Sequence, residues 1–440
     1  MRSTITTFLF LSATLGACAQ GPVSLSLQQA VDLAAKQGYA VQASALEAEK
    51  TLARTKEITA VGLPQISGSG TLNNYLKVPK MVVPNFFGGE GVAAIEFALP
   101  WSITGAVQLQ QLLFDGSYLV GLQAAKELRT KSAMDLEQTV LNAKVQATKA
   151  YLSVLAAEEG ERITAEGLPL LEKALADAQV MLEQGLLETT DADRITVQLD
   201  ETRNQQRNLH QQSSVARSYL ALVLGLPAGT PISLTDALQP LIDDPAWAGL
   251  ADATFDANGH IDQKVAQSAL RLAAMDVRNK KAAYLPSLGG FINYQQAYNY
   301  IEFDIGNGSW WFPGSMWGLQ LNVPIFSSGR RKNLVKQAEF AMEQAAVNVK
   351  ATEQRLLAER EQQQAVLRAA QDGYDTGKKN LALGRSIFER TSIKFNEGMA
   401  SSFELTQEHG NYLTAQQNHI QRIIALLQAR ADMRKALGAY

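Results

Sequence analysis

Over residues 65–114 and again over 287–326, apolar and polar positions alternate with a period near two. Ile103, Gly105, Val107, Leu109, Gln111 and Leu113 share one side of the stretch 102–114, with Gln108 and Gln110 on the other. Leu319, Leu321, Val323 and Ile325 oppose Gln320 and Asn322 in the same way. Such alternation marks strands with one apolar face, and it predicts strands at 65–78, 102–114, 287–300 and 316–326. Elsewhere the spacing is helical. Leu136, Val140, Ala143, Ala147, Ala150 and Val154 alternate by four and three, and Ile195, Thr202, Leu209, Ala216 and Val223 recur every seven. Long helices are therefore expected at 117–183, 189–224, 328–397 and 401–438, with a shorter one from Leu25 to Val61 that Ser26 caps and Gly62-Leu63-Pro64 ends. Gly160 to Pro169 predicts an interruption in the first long helix, and Gly373 and Gly377 a soft point in the third. Many seam positions are Ala, Ser, Thr or Gln, which suits helices laid side by side in a wall better than a solid bundle.

The pattern occurs twice. Gly398 follows Gly185 by 213 residues, and Gly438 follows Gly225 by 213. Leu285-Pro286 answers Leu63-Pro64, and Phe326 before Gly329 answers Phe114 before Gly116. This spacing reads as an internal duplication: a first repeat over 20–225, a connector over 226–261 rich in Pro and Gly, and a second repeat over 262–440. The connector is expected to form a small belt outside the helical wall.

Strands of ten to fourteen residues fit a bilayer crossed at a tilt. Trp101, Trp310, Trp311 and Trp317 stand beside them, with Tyr75, Tyr294, Tyr298 and Tyr300, as in the aromatic girdle of a membrane barrel. Segments 79–100 and 301–314 read as exposed loops. No segment offers about 20 consecutive apolar residues, so a membrane crossing would use strands.

Composition adds what it excludes. A net charge of −3 leaves no basic surface for nucleic acid, and 46% hydrophobic with 7% aromatic residues, dominated by Ala, Leu, Gln and Glu in the long segments, is not the make-up of a compact α/β enzyme. Met1-Arg2, the apolar run Phe8 to Ala17 and Ala17-Cys18-Ala19 read as a signal peptide over 1–19. Cys18, the single cysteine, also fits a lipoprotein box, so it is either acylated or removed; the short reach from Cys18 to the first helix favours removal. His210, His260, His409 and His419 show no metal-ligand spacing and are expected on solvated helix surfaces. No catalytic constellation, metal site or cofactor is indicated.

At Val323-Pro324-Ile325-Phe326, followed by Gly329-Arg330, the chain resembles the TolC family of outer-membrane efflux proteins. Leu112-Leu113-Phe114-Asp115-Gly116 resembles the matching motif of the first repeat, and the segments after Gly185 and Gly398 resemble the family's two helical-hairpin tips. The resemblance runs from about Leu25 to Tyr440. It implies a mainly α protein with membrane β-structure: a homotrimer in the Gram-negative outer membrane, whose four strands per chain close a 12-stranded barrel continuous with a periplasmic α-helical barrel. It implies a passive exit duct for efflux or type I secretion, and as partners a periplasmic adaptor and an inner-membrane pump (RND, ABC or MFS type). A periplasmic coiled-coil scaffold or adaptor without membrane strands is the alternative.

The resemblance also places the tips. Gly185, Leu186, Gly398, Met399 and Ser401 would dock the adaptor, and Thr190, Asp191, Phe395 and Glu404 would line the periplasmic constriction. Thr190-Asp191 fits the family's gate, whereas Phe395 and Ala400 replace its usual Tyr and Arg. A hydrogen-bonded latch is therefore doubtful on the sequence, and Asp191 is expected to act as an unpaired charge repelling its copies. The bland reading of the tip acids, that they complement helix dipoles, is equally open. Neither the cargo nor the pump class can be read from the chain.

Overall fold

The structure is a computed structural model and describes residues 23–439 except 85–90, 97, 186, 248 and 307. The signal segment, Cys18 and Leu186 lie outside the described residues. In chain order the elements are β1 (Val23–Leu25), α1 (Leu27–Gln37), α2 (Tyr39–Ala60), β2 (Gln65–Asn74), β3 (Lys80–Pro84), β4 (Val92–Glu96), β5 (Trp101–Phe114), α3 (Gly116–Glu183) and α4 (Thr189–Val223). There follow β6 (Ile232–Leu234), α5 (Leu238–Asp243), α6 (Ile261–Ala282), β7 (Ser287–Tyr300), β8 (Trp311–Asn322), α7 (Arg330–Asn396) and α8 (Ser402–Ala436). The halves match in length: α2 and α6 have 22 residues each, α3 and α7 have 68 and 67, and α4 and α8 have 35 each. Gly185 and Gly398 share φ +69°, and Gly225 and Gly438 have φ +73° and +68°.

The chain divides into two compact units, and each draws on both repeats. One gathers Ser44–Gln138 and Ala257–Leu356. Its centre is an antiparallel sheet in the order β2-β5-β7-β8. β5 and β7 lie within a residue of the sequence expectation, and the other two differ for local reasons. β2 stops at Asn74 because the Tyr75 N–H turns to the Pro100 carbonyl at 2.8 Å. β8 begins five residues earlier than expected, at Trp311, and stops before Val323-Pro324. Pro313 inside it lacks an amide, which an edge strand tolerates. Part of 79–100, read as loop, is the β3–β4 hairpin, in which Lys80 pairs with Glu96 at 3.2 Å.

The other unit gathers residues up to Ala43, Thr139–Asp256 and Leu357–Tyr440. Leu25, expected to begin a helix, lies in β1, which pairs in parallel with β6. Ser26 then caps α1 with a complete capping box: its Oγ accepts from the Gln29 N–H, and Gln29 Oε1 accepts from the Ser26 N–H at 2.9 Å. The Asp236 carboxylate fastens the arrangement. It accepts from the Leu27 N–H at 2.6 Å and the Tyr151 hydroxyl at 3.0 Å, while Tyr151 also lies 3.0 Å from the Leu25 carbonyl. Burial and the neighbouring Asp236 carboxylate hold the Tyr151 hydroxyl protonated well above the usual phenol range. Around it Ala30, Ala34, Ala147, Leu152, Val154, Leu220, Leu224, Leu426 and Met433 form the principal apolar core. The connector thus carries a strand and a helix of its own, and Ile232, Leu238 and Ile242 join that core.

Both expected helix interruptions are absent, and one unexpected break occurs. Pro169 lies inside an unbroken α3. A mid-helix proline costs roughly 3 kcal/mol, yet the buried seam continues on either side through Thr164, Leu171, Ala174 and Ala178, and burial of Leu171 alone offsets about 1.5–3 kcal/mol. Gly373 and Gly377 lie in an unbroken α7, where a Cβ would stand 3.2 and 3.3 Å from Arg422 of α8. The break falls at Gly38 instead, whose ψ of 134° separates α1 from α2. There α1 and α4 meet end to end: a Cβ on Gly38 would lie 3.3 Å from the Val223 carbonyl oxygen, and one on Gly225 only 2.0 Å from that of Gln37.

Gly225 is held by both its φ and this contact, whereas a Cβ on Gly229, with φ +82°, would meet nothing within 4 Å. Gly229→Ala should cost about 1 kcal/mol from backbone strain alone, and Gly225→Ala well over twice that, because backbone must move. Thermal unfolding by circular dichroism checks the contrast; similar midpoints for the two variants would show that the α1–α4 contact is loose.

Candidate functional site

In an antiparallel sheet, residues directly opposite one another point to the same side, so the register sorts the sheet into two faces. One carries Ile66, Leu109, Ile292 and Trp317 in one row and Leu72, Ile103, Tyr298 and Trp311 in another. The reverse face carries Ser67, Gln108, Asn293 and Met316, then Ser69, Ala106, Gln295 and Gly314, then Thr71, Thr104, Ala297 and Phe312, so it is polar over β2, β5 and β7 and apolar at Met316 and Phe312 of β8. Apolar residues of the first face stand in the open: Ile66 is 71% exposed, Trp317 75% and Leu319 63%. At one end of the strands, rings gather. Trp101 meets Phe303 at 4.6 Å, Tyr300 meets Trp310 at 4.5 Å, and Tyr298 meets Trp311 at 5.5 Å. Trp317 is not part of this group, because it sits in mid-strand. A sheet with one apolar exposed face, one polar face and rings at its rim can lie between lipid and water. Among the described residues no helix is long and apolar enough to cross a membrane.

A second constellation lies where α3 turns into α4 and α7 into α8. Each turn is made by a glycine in the left-handed region, Gly185 and Gly398. At the second, the Gly398 N–H bonds to the Phe395 carbonyl at 3.0 Å and the Met399 N–H to that of Lys394 at 2.8 Å, which satisfies the orphan carbonyls of α7 in a Schellman motif. Ser401 then caps α8 by accepting from the Glu404 N–H at 3.2 Å. Met399 is 71% exposed, and a Cβ on either glycine would meet open space. Thr190 and Glu404 face solvent, and the Thr190 hydroxyl donates to Glu188 at 3.3 Å.

Two sequence expectations are overturned here. Phe395 faces no opening: it is 2% exposed and packs with Ala174, Ala178, Ile195, Phe388 and Leu405, so that all four long helices meet on it. Asp191 is not an unpaired charge either. Its carboxylate accepts a short hydrogen bond from the Ser402 hydroxyl and lies 3.9 Å from Arg194, whose guanidinium sits 5.7 Å from the centre of the Phe403 ring. The first turns of α4 and α8 are therefore tied by a hydroxyl–carboxylate bond. Sequence reasoning missed Ser402 because its partner lies 211 residues away; the 213-residue repeat, which aligns Ser402 with Thr189, was the signal that matches the two first turns.

The histidines also depart from expectation. Only His210 is exposed, and it lies 3.0 Å from Glu161. His260 is buried as the cap of α6 and accepts from the Asp262 N–H at 3.2 Å. His419 stacks on Tyr374 at 5.7 Å. His409 is fully buried, edge-on to Phe388 at 4.9 Å, with no partner for either ring nitrogen, and burial pushes its pKa down to about 4. Among the described residues no group of three His, Cys, Asp or Glu could hold a metal ion.

Residues 260–439 match the family described as outer membrane efflux protein. The outer membrane efflux protein BepC of Brucella suis biovar 1 is 23% identical over 334 residues, covering 75% of this chain and 69% of that protein. Among solved structures, a membrane protein from Pseudomonas aeruginosa superposes with a TM-score of 0.75 at 18% identity, covering 94% of this chain and 92% of that one. The Campylobacter jejuni CmeC outer membrane channel superposes with a TM-score of 0.72 at 16% identity, covering 94% and 85%. The chain shares the fold of these two solved structures.

His409 supplies a test of the tip packing. A neutral buried histidine with a lowered pKa stabilises the fold above the unfolded value near 6.5 and loses that contribution as pH falls toward 4. The loss should be on the order of 3 kcal/mol per chain across that window. His409→Leu should flatten the fall in unfolding temperature between pH 7.5 and 4.5 relative to the parent; an equally steep fall in the variant would assign the acid sensitivity to other groups.

Proposed function

We propose that this chain, which belongs to the TolC family of outer-membrane efflux proteins and lies in the Gram-negative outer membrane, works as a homotrimeric exit duct served by an adaptor and an inner-membrane pump. The observation that carries the reading is the sheet: an exposed apolar face with rings at its rim, bounded by two unpaired edges, β2 and β8. Unpaired backbone groups are not tolerated in lipid, and four strands do not close on themselves. With an even number of antiparallel strands, β8 of one copy meets β2 of the next antiparallel. Two copies would make eight strands, an interior that side chains fill; three make twelve and leave a lumen. The polar face of Ser67, Gln108, Asn293 and their neighbours would line that lumen, and the apolar rows would meet lipid. A soluble scaffold gives no reason for an exposed apolar face of this kind.

The tips suit docking. Gly185 and Gly398 leave open space beside the turns, and Met399 projects an exposed apolar side chain. A periplasmic adaptor of complementary helical form would seat there, with Ser401 beside it. Cargo passes without chemistry in this reading, and its selection belongs to the pump.

Protein extracted in mild detergent should have a mass of three chains plus micelle by multi-angle light scattering; a stable monomer, or release of the protein from membranes by salt alone, would refute the duct.

The Asp191–Ser402 bond is proposed as the latch of the closed tip. Ser402→Ala and Asp191→Ala should each raise single-channel conductance in planar bilayers several-fold, and the double variant should rise no further, since both cut one bond. If Asp191→Asn instead lowers cation conductance while Ser402→Ala changes nothing, Asp191 acts through its charge and the latch is wrong.

A further inference from the structure

At the end of the sheet away from the rings, all four strands meet helices. The pairs Gln65–Gln110, Phe114–Leu288 and Ser287–Asn322 set the start of β2, the end of β5, the start of β7 and the end of β8 along one rim, which the last turns of α2 and α6 and the first turns of α3 and α7 adjoin. The helices are tied side by side there. The Tyr118 hydroxyl of α3 donates to the Thr59 carbonyl of α2 at 3.0 Å and the Ser117 hydroxyl to the Asn279 carbonyl of α6 at 3.4 Å, and Lys281 of α6 pairs with Glu339 of α7 at 2.8 Å. Next to the strands the rim is apolar and open: Ile325 is 91% and Phe326 84% exposed. One step further it is basic, with Arg54 and Lys56 in α2, Arg278 in α6, and Arg330, Arg331 and Lys332 opening α7.

Arg54, Lys56, Arg278, Arg330 and Lys332 are exposed and make no ion pair among the described residues, and Arg331 lies 5.8 Å from the centre of the Tyr284 ring. The acids nearby are mostly engaged, Asp276 by Lys280 at 3.4 Å, Glu339 by Lys281 and Asp115 by the Tyr118 N–H at 2.9 Å, with Glu57 left exposed. Cations at the start of α7, whose first turn holds no acid, oppose the helix dipole and do not serve that helix's own stability. Among the described residues the opposite rim has no such excess: Lys80 pairs with Glu96, and Lys77 is set against Glu302 and Asp304. Open apolar side chains followed by uncompensated cations match the boundary of a phospholipid, acyl chains against the first and phosphate against the second. We propose that this belt binds anionic phospholipids of the periplasmic leaflet. The inference rests on the membrane barrel proposed above. In that ring β8 of one copy meets β2 of the next, which brings the start of α7 toward the end of α2 in its neighbour, where cations on both sides of the joint repel unless an anion lies between them.

Trimers reconstituted in phosphatidylcholine bilayers, with a trace of spin-labelled phosphatidylglycerol or of phosphatidylcholine with the same acyl chains, test the belt by electron paramagnetic resonance. The motionally restricted fraction should favour phosphatidylglycerol about fivefold at low salt and lose most of that preference in about 1 M sodium chloride. Arg330→Gln/Lys332→Gln should cut the preference below about twofold. Arg54→Gln/Lys56→Gln should act in the same direction, so either pair decides if the other does not assemble. Arg207→Gln/Lys379→Gln removes as much charge from the other unit and should leave the preference unchanged. Equal restriction of the two lipids, an unchanged preference in an assembled belt variant, or an equal loss in the Arg207 and Lys379 pair would overturn the belt. Loss of the preference in sodium phosphate but not in sodium chloride of the same low ionic strength would make free phosphate the ligand and overturn it as well. Failure of the membrane reading would show separately, as a monomeric protein that salt releases and that does not reconstitute.

Discussion

Backbone groups along β2 and β8 have hydrogen-bonding partners on one side only within a single chain. In water this is an ordinary sheet edge; against hydrocarbon each unpaired amide or carbonyl costs several kcal/mol. In the assembly proposed above, a further copy at each edge would satisfy these groups. All neighbouring strands are antiparallel, β5 and β7 pair the two repeats, and one face is mainly apolar. Assembly and membrane insertion would then be the same event, since the apolar face and the open edges would be satisfied together.

Much of this was legible in the sequence because strands and helices differ in period. β5 and β7 carry clean alternation, and their limits fall within a residue of the pattern. The Ser26 cap and the paired glycines of the repeat were legible for a similar reason: caps and left-handed turns are local chemistry. What escaped was decided at long range. Pro169 and Gly373 look like breaks to any local rule, yet α3 and α7 run unbroken through them, and Arg422 of α8 packs against Gly373. Gly38 looks innocuous and is a break, because the end of α4 presses on it from almost 190 residues away.

The tip shows the same division more sharply. Gly185 and Gly398 were legible from the repeat and from the turns glycine permits, whereas Ser401 entered only through the family resemblance. The roles of Phe395 and Asp191 were misjudged because both depend on partners 200 or more residues distant: Ala174, Ala178 and Ile195 for the ring, Ser402 for the carboxylate. Phe395 belongs to an apolar clamp among four helices, and Asp191 and Ser402 supply a polar tie between the first turns of α4 and α8. His409 belongs to this clamp. A polar ring with neither nitrogen satisfied is tolerated there as long as it stays neutral.

Pro169 has a mechanical consequence. It deprives the Ala165 carbonyl of its amide donor one turn earlier in α3, while the equivalent position 213 residues later is Ala382, inside an α7 with no proline. The two long helices are thus nearly equal in length but unequal in stiffness. Any force applied at the tips is taken up first by curvature of α3 near Ala165, with α7 behaving as the stiffer strut. A duct built from both would flex at alternate staves around its circumference.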